Sequence, residues 1–290
     1  MITVFTPTYN RAYIISSLYE SLKSQAYKDF EWLIVDDGSS DNTEALISDF
    51  IDENLIGIRY IKQPNGGKHR AINKGVSMAN GELCFIVDSD DYLPDNSLER
   101  VAFYFDQIKD NLSFAGVSGR CAYYSHNKEI VGNQMPDQII DSTSLDIRFK
   151  HGVVGDLAEV FRTEVLKEFP FPEIDGEYFC PEALVWNRIA QKYQIRFFDE
   201  PIYYCEYLPD GLSAKIAKLR MDSPKASMTH YSELSKMKIP SSQKVKAIIN
   251  FWRFSICSGQ SFYKKWTRIN KVGIILFPIG YMMYLNDCKK

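Results

Sequence analysis

The sequence predicts an α/β fold, in which a mixed, mainly parallel sheet is flanked by helices and followed by a helical C-terminal extension. Three observations support this prediction. Short runs of apolar β-formers alternate with amphipathic helical patterns through the first 110 residues. The loops between them are short, as in right-handed β–α–β units. After residue 213 the strand patterns end, and helical segments separated by proline follow.

The first half of the chain alternates between strand and helix patterns. Strand patterns rich in apolar β-formers occupy residues 2–6, 30–35, 58–61 and 83–87. Amphipathic helices are predicted at 14–22, 44–51, 71–78 and 96–109. Asn10 is expected to cap the first helix. The polar loops after these strands all fall at the carboxyl ends of the strands, which predicts a single site there.

The second half has weaker patterns. Residues 115–125 are predicted to be β, residues 142–150 give no clear pattern, and residues 156–166 fit either a strand or a short helix. A helix with proline in its first turn is predicted from Pro181 to Ala190. Strands at 195–198 and 202–207 and a loop at 209–213 complete the predicted α/β domain.

Composition divides the chain at residue 213. Residues 214–290 hold 15 of the 34 Lys and Arg but only 3 of the 37 Asp and Glu. We therefore predict an α/β domain at 1–213, with halves at 1–110 and 111–213, and a basic, aromatic-rich extension at 214–290. A basic extension on an acidic body predicts an anionic partner for the extension. The acidic body argues against nucleic acid as that partner.

The six cysteines show no paired spacing, which favours reduced thiols in a cytosolic protein. The chain starts directly in a strand pattern, so no signal peptide is expected. The apolar run at 272–285 is shorter than the roughly 20 residues that span a bilayer. An interfacial helix on the inner face of the membrane and a packed helix at a homo-oligomer contact both fit this run.

Three carboxylates follow the fourth predicted strand, in the segment Phe85-Ile86-Val87-Asp88-Ser89-Asp90-Asp91-Tyr92. In an extended strand end, Asp88 and Asp90 would project to the same side. Their mutual repulsion would be costly without a cation to neutralise it. All-carboxylate ligation suits Mg²⁺ or Mn²⁺. An acidic turn that caps the next helix is the alternative interpretation.

Four short motifs occur in order along the first 110 residues: Thr6-Pro7-Thr8-Tyr9-Asn10-Arg11, Asp36-Asp37-Gly38-Ser39-Ser40-Asp41, Asn73-Lys74-Gly75 and Asp88-Ser89-Asp90-Asp91. On these motifs the chain resembles the family 2 glycosyltransferases, which have a GT-A fold. The resemblance continues less tightly to about residue 213. There the chain is similar to the branch that builds bacterial capsular or other surface polysaccharides.

The resemblance implies a nucleotide-sugar donor. The implied donor site comprises Thr6, Pro7, Tyr9, Arg11, Asp36, Asp37, Lys68, Arg70, Asp88 and Ser89. Asp37 or Asp36 would accept the imide N–H of uracil, which favours a UDP-sugar. Lys68 or Arg70 would neutralise the diphosphate, and Asp90 would bind the Mn²⁺ or Mg²⁺ that bridges its phosphates.

The resemblance also implies an inverting transferase with a carboxylate base at the start of a helix. Glu182 matches that position, although Pro181 stands where the family often has a first acid. The helix N-terminus favours the ionised form of Glu182 that a base requires. Glu177 is a second candidate. Trp186 is expected to pack in the core, and a wall of the acceptor site is the alternative role. The implied acceptor is a saccharide or a polyprenyl-linked glycan.

Other functional classes fit the sequence less well. A nucleotidyltransferase would have a Gly-rich, Arg-containing loop after the first strand, where this chain has Thr-Pro-Thr-Tyr-Asn-Arg. An aspartyl phosphatase often has Thr directly after its Asp-x-Asp motif, and this chain has Asp91 followed by Tyr92. A non-catalytic protein that binds nucleotide-sugars stays open as an alternative.

Overall fold

The structure, a computed structural model, describes residues 1–125, 128–206, 208 and 211–289. Tyr207, at the end of the last predicted strand, lies outside the described residues. So do residues 209 and 210 of the predicted boundary loop and residue 290. The described chain forms two compact units. One combines Met1–Pro170 with Ile189–Glu206, and the other combines Phe171–Arg188 with Tyr207–Lys290. The predicted domain limits at residues 110 and 213 stay a prediction.

An eight-stranded sheet in order β3-β2-β1-β4-β7-β5-β8-β6 forms the first unit of the described chain. Its strands are β1 Ile2–Thr8, β2 Phe30–Asp36, β3 Ile58–Lys62, β4 Leu83–Ile86, β5 Phe114–Tyr123, β6 Ile139–Ser142, β7 Leu157–Arg162 and β8 Gln194–Cys205. Strands β1 to β4 pair in parallel, and β7 pairs antiparallel with both β4 and β5. The sheet is therefore mixed, as predicted.

Helices connect the strands of this unit. They are α1 Ile15–Lys23, α2 Thr43–Glu53, α3 Lys68–Met78, α4 Ser97–Asp106, α5 Asp146–Phe149 and α6 Thr163–Glu168. Every residue of β1 is buried, which matches strands covered on both faces and explains their continuous apolar runs. Residues 156–166 contain both predicted alternatives, because β7 runs directly into α6. The strands predicted at 195–198 and 202–207 fall on one strand, β8, which ends at Cys205 and whose pairing with β5 shifts register near Pro201.

Helices make up most of the second unit. These are α7 Glu182–Ile189, whose last residue belongs to the first unit, and α8 Ile216–Asp222, α9 Pro224–Lys236, α10 Ser241–Ser255, α11 Phe262–Trp266 and α12 Phe277–Asp287. Phe251, Trp252 and Phe254 of α10 are buried in its core. Pro224 begins α9 and Pro240 immediately precedes α10, so proline separates these helical segments, as predicted. In the described chain, no helix has both the length and the apolar character needed to cross a bilayer.

Gly75 brings α3 close to β1. A Cβ atom at this position would lie 2.1 Å from the ring of Phe5, which is fully buried. We expect Gly75→Ala to lower the free energy of unfolding by about 1–3 kcal/mol, because overpacking outweighs the better helix propensity of alanine. Urea unfolding would measure this change. Gly57→Ala is the control, because its added Cβ would meet no atom within 4 Å; equal losses in both variants would contradict the packing explanation.

Candidate active site

The acidic segment after β4 is a turn. Strand β4 ends at Ile86, and the N–H of Asp91 donates to the carbonyl of Asp88 at 3.1 Å. One carboxylate oxygen from each of Asp88, Asp90 and Asp91 lies within 4.8 Å of the others. The prediction that Asp88 and Asp90 project from an extended strand is therefore wrong in its geometry. The turn, rather than strand alternation, gathers the carboxylates, and it adds Asp91.

Strand β8 holds this turn in place. The hydroxyl of Tyr203 donates to Asp91 at 2.6 Å and accepts from the N–H of Asp88 at 3.0 Å. The N–H of Glu206 donates to the other oxygen of Asp91 at 3.2 Å. Asp91 is buried. Asp91 therefore ties the turn to β8, which leaves Asp90 and Asp88 as its more accessible acids.

Repulsion among the acids is only partly balanced by cations. Burial, followed by repulsion from Asp88, raises the pKa of Asp90, and Arg11 and Lys68 oppose that rise. The same two causes raise the pKa of Asp91 to about 8. Lys68 Nζ lies 2.7 Å from Asp88 Oδ1, and Arg11 lies 3.6 Å from Asp90 Oδ2. Three converging carboxylates, two of which have raised pKa values because of burial and mutual repulsion, are the donor set that a divalent cation fits.

The loop after β1 is fastened to the loop after β2. Asn10 has a φ of 53°, its N–H donates to Ser39 Oγ at 2.8 Å, and its Oδ1 accepts from the N–H of Ser40 at 2.8 Å. Helix α1 begins at Ile15 with Ile14 at its cap position, so the prediction that Asn10 caps it is wrong. Asparagine suits this site because it tolerates the left-handed region and bonds to nearby backbone.

The predicted donor-site residues of β1 and the loop after it differ in their exposure to solvent. Thr6 is buried, and its Oγ1 accepts from Trp32 Nε1 at 2.9 Å. Pro7 is buried within β1. Tyr9, which is 49% exposed, is the residue of this group whose ring is available for stacking.

Asp36 and Asp37 are both engaged within the protein. Asp36 accepts from the N–H of Ser39 at 2.7 Å and from the hydroxyl of Tyr60 at 2.6 Å. Asp37 accepts from Gln63 at 2.8 Å and from the N–H groups of Gly66 and Gly67 at 3.0 and 2.7 Å. Asp37 therefore anchors the loop that precedes the predicted diphosphate-binding residues Lys68 and Arg70. Four lone-pair positions on a carboxylate leave one for a further donor.

That loop leads directly into α3. The helix begins at Lys68, three residues earlier than predicted, so Lys68 and Arg70 lie in its first turn. Arg70 donates to the carbonyl of Gly66 at 2.6 Å. His69 and Ser89 are buried. The structure thus brings Lys68, Arg11 and the acidic turn together.

The candidate bases lie in the second unit. Glu182 is half-buried and is the first residue of α7. Glu177 is buried, and its carboxylate accepts from the N–H groups of Lys225 and Ala226 at 2.8 and 2.9 Å. These bonds satisfy donors at the start of α9, which gives Glu177 a structural role as a helix cap. Trp186 packs edge-to-face on Phe171 at 5.8 Å, in line with the predicted packing role.

Comparison with known proteins identifies the family. A model of "Glycosyl transferase family 2" matches residues 3–157, more than half of the chain. The chain belongs to glycosyl transferase family 2. The predicted family membership is thereby confirmed, and the four motifs that predicted it all lie within the matched residues.

Curated family 2 relatives cover most of this chain. The glycosyltransferase GlyG of Streptococcus pneumoniae is 37% identical over 215 residues, which are 70% of this chain and 69% of GlyG. The GalNAc(5)-diNAcBac-PP-undecaprenol β-1,3-glucosyltransferase of Campylobacter jejuni is 27% identical over 66% of this chain. The match covers only 60% of that relative's own length.

Solved structures confirm the GT-A fold. Staphylococcus aureus TarS 1–349 in complex with UDP-GlcNAc superposes with a TM-score of 0.65 at 20% identity, covering 96% of this chain and 79% of TarS 1–349. The mannosyltransferase PcManGT of Pyrobaculum calidifontis, in complex with GDP-Man and Mn²⁺, gives 0.59 at 17% identity. It covers 99% of this chain and 87% of PcManGT. The match to the longer TarS structure covers 45% of that protein.

Two residues of the candidate site, Asp91 and Tyr203, received no predicted role. Asp91 stood in the acidic segment but received no role, because strand alternation predicted only Asp88 and Asp90 on one side. Tyr203 gave no signal, because its contact with the acidic turn joins residues more than 100 positions apart. The resemblance alone could have drawn attention to Asp91.

Proposed function

We propose that this family 2 chain transfers a sugar from a UDP-sugar to a saccharide or polyprenyl-linked acceptor, with inversion, during bacterial surface polysaccharide synthesis. The observation that carries this proposal is the turn that gathers Asp88, Asp90 and Asp91 beside Lys68 and Arg11. Such a site combines cation ligands with positive charges, which suits a nucleoside diphosphate.

The proposal of a UDP-sugar as donor is based on the names of related proteins and on the ligands in similar solved structures. The Escherichia coli relative WfgD, 30% identical over 66% of this chain, is named a UDP-Glc:α-D-GlcNAc-diphosphoundecaprenol β-1,3-glucosyltransferase. TarS was solved with UDP and with UDP-GlcNAc. PcManGT was solved with GDP-Man, so GDP-sugars belong in any test. The names of WfgD and the C. jejuni relative support a diphosphate-linked lipid acceptor.

The proposed mechanism is a single in-line displacement. A divalent cation, Mn²⁺ or Mg²⁺, held by Asp90 with Asp88 and Asp91 beside it, would neutralise charge on the departing nucleoside diphosphate. Lys68 and Arg11 add positive charge next to the same carboxylates. Glu182 accepts the proton of the acceptor hydroxyl. The acceptor oxygen then bonds to the anomeric carbon as the bond to the diphosphate breaks, which inverts the configuration.

A thermal-shift panel of UDP- and GDP-sugars, each with and without Mn²⁺, tests the donor proposal. We expect one UDP-sugar to raise the Tm only when Mn²⁺ is present, because binding to the folded state stabilises it. A shift with GDP-sugars alone would contradict the choice of UDP. The same donor is then incubated with Mn²⁺ and lipid-diphosphate saccharides. Binding without transfer to any of them would favour the non-catalytic alternative.

We also propose that the C-terminal helices contact the membrane surface where a lipid-linked acceptor resides. Large apolar side chains are exposed along α12 and the 3₁₀ turn before it, at Val272, Ile275, Ile279, Met282 and Leu285, which we call the apolar stripe. Within α12, the spacing of Ile279, Met282 and Leu285 by three residues places them on one side of the helix, and Val272 and Ile275 extend the apolar stripe into the 3₁₀ turn. Exposed lysines at 264 and 289 flank the apolar stripe in sequence and suit anionic lipid headgroups.

Charged substitutions in the apolar stripe test this contact. Ile275 and Met282 are 71% and 61% exposed, so Ile275→Glu/Met282→Glu should leave the fold intact. We expect the variant to bind anionic vesicles at least about tenfold more weakly, because each apolar side chain contributes about 1–3 kcal/mol when buried. Sedimentation with vesicles measures this. Leu112→Glu, at a 75% exposed position of the first unit, is the matched control.

Two outcomes would contradict the membrane proposal. Unchanged vesicle binding by the double variant would show that the apolar stripe does not contact lipid. A protein that is dimeric without vesicles, and monomeric after the substitutions, would assign the apolar stripe to a contact between two copies. Truncation after residue 259 is a poorer test, because Ile269 and Phe277 pack in the core of the second unit.

A further inference from the structure

Two arginines of the second unit show how its guanidinium groups bind anions. Arg188 donates from Nε and Nη2 to the two oxygens of Glu233, both at 2.8 Å. Arg253 uses the same edge for Asp287, at 2.5 and 2.7 Å. Each pair is bidentate, the geometry in which the planar guanidinium binds a carboxylate or phosphate most strongly.

Arg220 of α8 has the same edge without a carboxylate from the described residues. Its Nη1 donates to the hydroxyl of Tyr231, and its guanidinium lies over the Tyr231 ring, 5.3 Å from the centroid. Its Nε is buried and has no hydrogen-bond partner in the described chain. Burial, followed by repulsion from Arg253, lowers the pKa of Arg220. Burial and Arg253 therefore destabilise the charged form of Arg220, and no carboxylate of the described residues neutralises it.

His230 adds a second unsatisfied group beside Arg220. It precedes Tyr231 on α9, is 6% exposed, and its Nδ1 has no hydrogen-bond partner among the described residues. Its ring packs on that of Tyr231, with centroids 4.8 Å apart. Burial, followed by repulsion from Arg220, lowers the pKa of His230 to about 3, so the ring is neutral at physiological pH. A neutral imidazole can donate one hydrogen bond without adding charge.

Buried polar groups without partners are costly and uncommon in native proteins, and they call for an explanation. We propose that Arg220, with His230 beside it, forms an anion site that binds a phosphate group, and that its natural ligand is the diphosphate of the lipid-linked acceptor. The identity of that ligand rests on the proposed function; the anion site itself does not. The Nε–Nη2 edge of Arg220, whose Nε is buried and unpartnered in the described chain, has the geometry to match two phosphate oxygens, as the same edge matches two carboxylate oxygens in Arg188 and Arg253.

The site can be tested on the full chain in the presence of EDTA, so that the acidic turn holds no metal. The probes are farnesyl diphosphate, inorganic pyrophosphate and farnesol, and titration calorimetry measures their binding. We expect farnesyl diphosphate to bind and farnesol not to bind. Arg220→Met should weaken binding by about tenfold to a hundredfold, because it removes charge-assisted hydrogen bonds. Lys218→Met, which removes an exposed charge from the same helix, is the matched control and should bind normally.

The Tm of the ligand-free protein separates a binding role from a structural one. Arg220→Met keeps the apolar stem and removes an unneutralised cation, so its Tm should equal or exceed that of the wild type. Arg220→Lys, which keeps the charge but loses the planar edge, should also bind weakly. A lower Tm for Arg220→Met together with unchanged binding would overturn the site.

The probes also distinguish the source of the phosphate. Pyrophosphate binding as tightly as farnesyl diphosphate would support an anion site but overturn its assignment to a lipid. Absence of binding by both would overturn the site itself. Failure of the transferase proposal would appear separately, as the absence of Mn²⁺-dependent UDP-sugar binding in the wild type. That binding should be unchanged in Arg220→Met.

Discussion

Glu182→Gln is expected to lower kcat by about 10²- to 10⁴-fold, because glutamine cannot accept the proton of the attacking hydroxyl. The UDP-sugar should bind this variant with unchanged affinity, since the proposed role of Glu182 concerns the acceptor. The position of Glu182 supports its assignment as the general base. Glu182 is the first residue of α7, where the helix dipole favours a negatively charged side chain. Steady-state transfer assays together with donor calorimetry would measure both quantities.

Glu177→Gln is the matched control for this prediction. Glu177 is an acid of the same unit, but its carboxylate is bonded to the first N–H groups of α9. Its substitution should lower stability by about 1–2 kcal/mol, as loss of a helix cap does, and affect kcat far less than Glu182→Gln. Near-normal turnover by Glu182→Gln would remove Glu182 from the base role. A collapse of kcat in Glu177→Gln without loss of stability would transfer that role to Glu177.

Asp90→Asn is expected to reduce kcat/KM by about 10²- to 10³-fold and to remove most of the activation by Mn²⁺. The reason is the position of Asp90 in the turn. Asp91 is held by Tyr203 and Glu206, and Asp88 is paired with Lys68 at 2.7 Å, whereas the contact of Asp90 with Arg11 is longer, at 3.6 Å. Transfer rates measured across a Mn²⁺ titration would test this.

Asp110→Asn, at an exposed acid of the first unit, is the control for the loss of one negative charge. It should leave the Mn²⁺ dependence unchanged. Transfer that persists in EDTA, or an Asp90→Asn variant with normal Mn²⁺ activation, would contradict the role assigned to Asp90. In that case Lys68 and Arg11 would be the groups left to neutralise the diphosphate.

The sequence predicted the parallel part of the sheet well. The patterns at 2–6, 30–35, 58–61 and 83–87 correspond to β1 to β4, because buried parallel strands leave continuous apolar runs. Short elements were harder to predict. Residues 142–150 span the end of β6 and the four-residue helix α5, and neither is long enough for a periodic pattern. The gap between the strands predicted at 195–198 and 202–207 corresponds to a register shift within β8. This shift occurs where β8 pairs with β5.

For the candidate site as well, the sequence predicted residues that stand in short motifs but not contacts between residues far apart in the chain. The resemblance pointed to the acidic run and to Lys68, and the structure brings them together. The engagement of Asp37 with Gly66 and Gly67 and the capping of α9 by Glu177 depend on contacts between distant residues. No local pattern encodes such contacts, so only the folded chain reveals these two structural roles.

A crystal structure with UDP and Mn²⁺, with the metal located by its anomalous scattering, tests the central claim most directly. We predict an anomalous peak bonded to a carboxylate oxygen of Asp90 and to oxygens of both phosphates, with Lys68 beside the diphosphate. A peak remote from Asp90, or UDP bound with the Asp90 side chain turned away from it, would contradict the account.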